Sequence, residues 1–163
     1  MELSCSLARI EDSELVSDVL VEASMWLEGI GVPLWRPEDF IPDLLLDKLK
    51  SNCFYLVRYG CEMAAVFSLE RSDALFWPEI RESDSLFIHK LAVKRAYAKY
   101  GIPSFAVSFA RSVAVEQRRK YLRLDCDALR PKLKALYLDL GFKYVDDHEL
   151  AGYTASRFQM EVS

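Results

Sequence analysis

Apolar residues between positions 12 and 31 recur at the three- and four-residue spacing of a helix: Leu15, Val16, Val19, Leu20, Ala23, Trp26, Leu27 and Ile30 share one face. Asp12 or Ser13 can cap its start, and Gly29 or Gly31 can end it. "SCSLARI" (4–10) before it reads as a short strand. Residues 32–41 read as an aromatic loop, and "PDLLLDKLKS" (42–51) as a short helix with Pro42 in its first turn.

The period then shortens. "CFYLVR" and "MAAVFSLE" flank Gly60 and predict a β-hairpin. Residues 71–85 form a polar loop holding Trp77-Pro78, and "LFIHKLAV" (86–93) is a buried strand. Residues 103–117 are helical again, with Phe105, Phe109 and Val113 beside Ala106, Ala110 and Ala114; Arg118, Arg119 and Lys120 follow where the helix dipole favours cations. "YLRLDC" (121–126) alternates as a strand, and "PKLKALYLDL" (131–140) is a helix closed by Gly141. "FKYV" and "YTASRFQMEV" predict terminal strands around a polar loop, "DDHELAG".

The order β–α–α–β–β–β–α–β–α–β–β is that of an α+β fold. It predicts a central, mixed, mostly antiparallel twisted sheet of six to seven strands with helices on both faces. No repeat or linker interrupts it, so residues 1–163 are expected to form a single domain.

Composition narrows the function. With 52% hydrophobic and 28% charged residues the chain is an ordinary globular protein. A net charge of −4 argues against a nucleic-acid partner. No apolar run reaches the ~20 residues that span a bilayer, and the N-terminus lacks a signal-peptide pattern; a cytoplasmic protein without membrane contact is expected. Cys5, Cys53, Cys61 and Cys126 form no CxxC pair and read as reduced thiols. His89 and His148 stand at no metal-ligand spacing, so no metal site is expected.

Three pieces fall into one pattern. A strand ends in "LAV" (91–93), a turn follows at Gly101, and a helix begins. A second strand, "YLRLDC", comes after it, and "YLDLGF" (137–142) then sets a tyrosine three residues before Gly-Phe. This layout resembles the GNAT superfamily of acyl-CoA-dependent N-acetyltransferases, with the motifs spread over residues 85–143. The resemblance implies acetyl-CoA as cosubstrate. Its pyrophosphate would rest on the turn of Ala98, Lys99, Tyr100, Gly101, Ile102, Pro103 and Ser104, where backbone N–H groups precede a helix. Its pantetheine arm would lie along Leu91, Ala92 and Val93, with "RLDC" as the splayed partner strand.

The family's phosphate motif, Arg/Gln-x-x-Gly-x-Gly/Ala, falls on Ala98, Gly101 and Pro103, and matches at Gly101. Its downstream Asn-x-x-Ala-x-x-x-Tyr falls on Arg130, Leu133 and Tyr137, and matches at Tyr137. In the family this tyrosine protonates the departing CoA thiolate, which the resemblance implies for Tyr137. The resemblance fixes no base. His89, two residues before Leu91, is the group on the central strand that titrates near pH 7. It can take a proton from an ammonium substrate, directly or through water, or pack as a neutral core histidine. Trp26, Trp35 and Trp77 lie in the segments that form the acceptor side in the family, and they line an acceptor pocket or cap the core.

The expected activity is acetyl transfer from acetyl-CoA to an amine by direct attack. The acceptor is a small molecule or peptide: polyamine, aminoglycoside, amino acid, peptide N-terminus and lysine all remain open, as does a homodimer. The alternative is a non-catalytic GNAT-fold module that acts by ligand or protein binding.

Overall fold

The structure is a computed structural model that describes residues 1–32, 35–81 and 83–162. Its strands are β1 (Leu3–Leu7), β2 (Phe54–Tyr59), β3 (Glu62–Glu70), β4 (Ser85–Val93), β5 (Tyr121–Asp127), β6 (Lys143–Leu150) and β7 (Tyr153–Glu161). Its helices are α1 (Ser13–Gly29), α2 (Pro42–Lys50), α3 (Ile102–Glu116) and α4 (Pro131–Asp139). The strands make one seven-stranded sheet in the order β1-β2-β3-β4-β5-β7-β6. It is mixed: β4 and β5 run parallel, whereas β1/β2, β2/β3, β5/β7 and β6/β7 are antiparallel. Among the described residues no helix is long and apolar enough to cross a membrane.

The chain divides into two compact units. The first holds Met1–Leu69 and Lys90–Ala106. The helical spacing read from residues 12–31 turns Val16, Val19 and Leu20 inward to meet Leu45 and Leu49 of α2 and Leu56 and Val66 of the hairpin. Each such side chain contributes about 1.5–3 kcal/mol when fully buried, which is what holds two short helices on the strands. Ser17 donates to the carbonyl of Phe40 at 2.5 Å and ties a short 3-10 turn, Pro37–Phe40, to α1. The hairpin turn needs glycine at position 60, where φ is +60° and a Cβ would stand 2.9 Å from the Met1 sulfur.

The second unit holds Glu70–His89 and Val107–Ser163. Trp77, Leu86, Phe87, Leu122 and Phe158 are among its fully buried large side chains. Here one expectation is corrected. Residues 146–150, read as the polar loop "DDHEL", are the second half of strand β6, paired with β7 from Lys143↔Gln159 to Leu150↔Tyr153. The loop shrinks to Ala151-Gly152, both with positive φ (49° and 83°), the geometry of a two-residue hairpin turn. The strand is polar because it stands at the sheet edge, with most of its side chains exposed, and Asp146 and Asp147 find partners across the hairpin in Arg157 and Ser156.

Candidate active site

Strand β4 positions His89. The strand keeps register with β5 over Ser85–Phe87 against Tyr121–Arg123. Beyond that, β5 runs on to Asp127 in register with β7. Lys90 then takes a φ of +52°, a left-handed kink inside a strand. Such a conformation costs a non-glycine residue about 1–3 kcal/mol and is found where the surrounding structure over-determines it.

The His89 side chain is 18% exposed, and its Nε2 lies 3.1 Å from Oδ2 of Asp73 and 3.8 Å from Oε2 of Glu70. Asp125, on β5, completes the group: ligating atoms of Asp73, His89 and Asp125 all lie within 4.8 Å of one another. Asp73 is fixed by its own turn. Its Oδ1 accepts the N–H groups of Leu75 (3.1 Å) and Phe76 (2.9 Å), and its carbonyl accepts the N–H of Trp77 (3.0 Å). Its Oδ2 is buried and takes no aligned hydrogen bond, so it meets His89 as a charge. Burial raises the Asp73 pKa, but His89 and the two turn N–H groups outweigh it, and the carboxyl titrates below its ordinary range. Asp73 is therefore an ionised, immobile neighbour of the imidazole at neutral pH.

The loop carrying Asp73 is fastened from below. Trp77 is 2% exposed, and the guanidinium groups of Arg157 and Arg123 lie 4.5 and 5.5 Å from its ring. Arg157 also donates to the carbonyl of Phe76 (2.9 Å), to Glu79 (2.5 Å) and to Asp146 (2.6 and 2.8 Å). Trp77 is thus a core residue of the second unit.

Tyr137 sits in α4, buried, with its ring 6.0 Å from those of Phe142 and Phe158. Burial pushes its phenol well above the ordinary tyrosine value, Cys126 and Asp125 add to the rise, and Arg130 opposes it. Tyr137 keeps its proton at any physiological pH. Arg130 is the N-cap residue of α4, and its carbonyl accepts the N–H groups of Leu133 and Lys134, both at 3.1 Å. The Cys126 thiol is pushed up to about 12, chiefly by burial, and is no nucleophile at neutral pH.

Leu91, Ala92, Val93 and the turn 98–104 belong to the first unit, whereas His89, Arg130 and Tyr137 belong to the second. The N–H of Lys94 bonds the carbonyl of Ala64 at 2.8 Å and fixes the end of β4. A 3-10 turn, Arg95–Tyr97, follows. The N–H of Ala98 closes on Arg95 (3.3 Å) and that of Tyr100 on Tyr97 (3.2 Å). Gly101 has φ +72°, and its carbonyl accepts the N–H of Phe105 at 3.1 Å, which makes it the N-cap of α3. The N–H groups without an intrahelical acceptor are then those of Gly101, Ile102 and Ser104, since Pro103 has none. Tyr59, Tyr97 and Tyr100 brace this turn, with ring centroids 4.9–6.0 Å apart. In the same unit Arg95 stacks on Trp26 at 4.1 Å, and Lys90 Nζ stands 5.8 Å from the Trp35 ring.

Sequence reasoning singled out His89 and did not single out Asp73, Glu70 or Asp125, which the structure gathers around it. Two signals were present. Asp73 opens a turn of the Asx type in front of "LFW", and Asp125 is a charge in the alternating strand "YLRLDC".

The chain is 27% identical over 143 residues to the uncharacterised N-acetyltransferase YesJ of Bacillus subtilis (strain 168), covering 83% of this chain and 78% of that one. A GNAT-family acetyltransferase from Listeria monocytogenes superposes with a TM-score of 0.79 at 18% identity, over 99% of this chain and 95% of that one. PaiA N-acetyltransferase from Thermoplasma acidophilum, in complex with coenzyme A, gives 0.75 at 18% identity, over 96% and 98%. YncA from Salmonella typhimurium, with its cofactor acetyl-CoA, gives 0.76 at 10% identity, over 100% and 95%. No protein-family profile matches the chain.

Proposed function

We propose that this chain, which has the fold of GNAT-family acetyltransferases, is an acyl-CoA-dependent N-acetyltransferase of that superfamily acting on a small-molecule or peptide amine, residues 1–163 serving as one catalytic domain. The observation that carries the reading is an ionised, buried Asp73 set 3.1 Å from the imidazole of His89, on the strand whose next residues are the expected pantetheine contacts. The relative named an N-acetyltransferase, and the coenzyme A and acetyl-CoA held by two fold neighbours, support a CoA-type cosubstrate.

The chemistry follows from the residues. A protonated amine is no nucleophile, so the acceptor must first lose a proton. Nε2 faces Asp73, so Nδ1 is the ring nitrogen that accepts that proton, directly or through one water. Asp73 stabilises the imidazolium that forms. The amine then attacks the thioester carbonyl, the C–S bond breaks, and the CoA thiolate leaves, hydrogen-bonded by the Tyr137 hydroxyl; the second proton lost by the acceptor nitrogen as the amide forms neutralises that thiolate. Leu91, Ala92 and Val93 offer backbone groups to the pantetheine amides, and Gly101, Ile102 and Ser104 offer N–H groups to the pyrophosphate.

The departures at Ala98, Pro103 and Arg130 favour a second reading, a GNAT-fold module that works by binding without catalysis. One experiment separates them: a melting titration with acetyl-CoA, followed by thiol release against a panel of amines at several pH values. Ligand at 100 times its dissociation constant stabilises the fold by about 2.7 kcal/mol. The enzyme reading expects that shift, amine-dependent thiol release, and loss of release in His89→Gln. Acetyl-CoA binding with no release for any amine supports the module, and no binding at all removes the cosubstrate.

A further inference from the structure

Glu70, Asp73, His89 and Asp125 together do more than flank a base. They gather one imidazole nitrogen and three carboxylates in the second unit, and at least three of these ligating atoms lie within 4.8 Å of one another. The 3.1 Å between His89 Nε2 and Asp73 Oδ2 is close to the separation of two atoms that share one cation. Bonds of about 2.0–2.2 Å from tetrahedral zinc to nitrogen or oxygen put adjacent ligands about 3.3–3.6 Å apart. An independent observation points the same way: the Asp73 side chain is 6% exposed, its Oδ1 is used by two backbone N–H groups, and its buried Oδ2 faces the group with no hydrogen-bond donor aligned on it. An ionised oxygen in that state calls for a positive charge.

We infer that Asp73, His89 and Asp125, with Glu70 at the edge, form a binding site for a divalent transition cation of the zinc class. Imidazole with carboxylates suits zinc, cobalt or manganese, whereas magnesium prefers oxygen ligands and retained water. The cation takes the Nε2 lone pair, which leaves the imidazole proton on Nδ1. The nitrogen that would receive the acceptor's proton then has no lone pair. Metal occupancy and base catalysis exclude each other, so the site gives zinc direct control over turnover. That consequence rests on the acetyltransferase reading; the binding does not.

The test uses the full chain, free of any affinity tag and of substrate. Zinc chloride is titrated calorimetrically, with magnesium chloride as control, and cobalt(II) serves as an absorption probe. The expected result is one zinc per chain, no magnesium binding, a cobalt spectrum of nitrogen and oxygen ligands, and at least a tenfold loss of zinc affinity in Asp73→Asn and in Asp125→Asn. Asn at 73 keeps an acceptor for the turn N–H groups, and Asp125→Asn leaves that turn untouched, so a folded variant is available for the comparison. Absence of zinc binding overturns the inference. So does undiminished affinity in folded Asp125→Asn and His89→Gln, or thiolate-to-cobalt charge transfer, which would place the ion on a cysteine. If zinc binds as expected and no amine is ever acetylated, the site stands and the enzyme reading falls.

Discussion

Arg157 holds Asp146 in a two-pronged ion pair, Nε to Oδ1 at 2.6 Å and Nη2 to Oδ2 at 2.8 Å, while its Nη1 reaches the loop that carries Asp73. One buried guanidinium thus joins strand β7, strand β6 and residues 76–79, and covers a face of Trp77. Arg157→Met keeps the apolar stem and removes every one of these bonds. Asp146 and Glu79 are about half exposed and rehydrate, so the loss is expected at about 2–3 kcal/mol, above an exposed pair and below a fully buried one. At about 2–4 °C per kcal/mol, the melting temperature falls by about 4–12 °C. Asp146→Asn is expected to cost under about 1 kcal/mol, because Glu79 still pairs with Arg157. Equal melting temperatures for wild type and Arg157→Met would show that Trp77 holds the loop unaided.

Acid should unfold the protein through the same residues. Three carboxyls of the second unit titrate below their usual range. Asp146 is lowered by its bond with Arg157 and Asp147 by that with Ser156; at Asp73, burial pushes upward but His89 and the turn N–H groups outweigh it. A depressed folded pKa means that the unfolded chain binds protons first as pH falls. The stabilisation is therefore complete above the unfolded value of about 3.9 and is lost as pH falls through the folded values. Melting temperatures between pH 7 and pH 2 should be level at the upper end and fall steeply below about pH 4. Asp146→Asn with Asp147→Asn should flatten that fall while changing the neutral plateau less. An unaltered acid limb would assign acid unfolding to other groups.

These residues also show where the sequence was legible. Helix α1 and strand β5 were plain because each buries one face and so writes its period in apolar residues. The second half of β6 was not, because an edge strand with exposed side chains has no apolar period to write, and its stability comes from partners on β7. His89 was found on its strand as a titratable group, whereas Asp73 lies sixteen positions away in a loop without periodicity. Their contact depends on where the loop is tied, and the tie is Arg157, 68 positions beyond His89. Such long-range polar contacts follow from the fold and leave no local pattern.

The base assignment predicts a rate signature. His89→Gln should lower kcat by about 10²–10⁴-fold with acetyl-CoA affinity preserved. Asp73→Asn removes the charge that stabilises the imidazolium formed when His89 takes the acceptor's proton, so kcat should fall as well. A merely structural Asp73 would lower the melting temperature and leave the kcat of the folded enzyme in place. The value of kcat at saturating acetyl-CoA, with the melting temperature as control, distinguishes the two.

Tyr137→Phe tests the leaving-group hydroxyl. The phenylalanine retains the contacts with Phe142 and Phe158, so the melting temperature should hardly change. Because burial raises the Tyr137 pKa, the phenol is a weaker acid than a free tyrosine, and its help comes chiefly as a hydrogen bond to the developing thiolate. The expected loss in kcat is therefore near the lower end of acid catalysis, about a hundredfold, with acetyl-CoA affinity preserved. An unchanged kcat in single-turnover conditions would leave Tyr137 as core packing.

The turn before α3 predicts a weak pyrophosphate grip that can be repaired. Its backbone has the shape of an anion nest, with Gly101 left-handed at the helix N-cap. Yet the N–H groups of Ala98 and Tyr100 are used to close the preceding turns, and Pro103 has none to give. Ala98 offers no side-chain donor where the family has Arg or Gln. Pro103→Gly restores one N–H in the first turn of the helix, and Ala98→Arg adds a guanidinium on an exposed position. A hydrogen bond to a charged group is worth about 1.5–3 kcal/mol, which corresponds to about 10–100-fold in affinity, and exposure to water puts the expectation at the lower end. Glycine at 103 also loosens the helix start by about 1 kcal/mol, so the melting temperature of the unliganded protein should fall slightly. Acetyl-CoA should nevertheless bind the double variant about tenfold more tightly, whereas a pantetheine thioester lacking the pyrophosphate should bind both proteins alike. Calorimetry at fixed salt measures both. Equal gains for the two ligands, or none for either, would mean that the pyrophosphate does not rest on Gly101, Ile102 and Ser104.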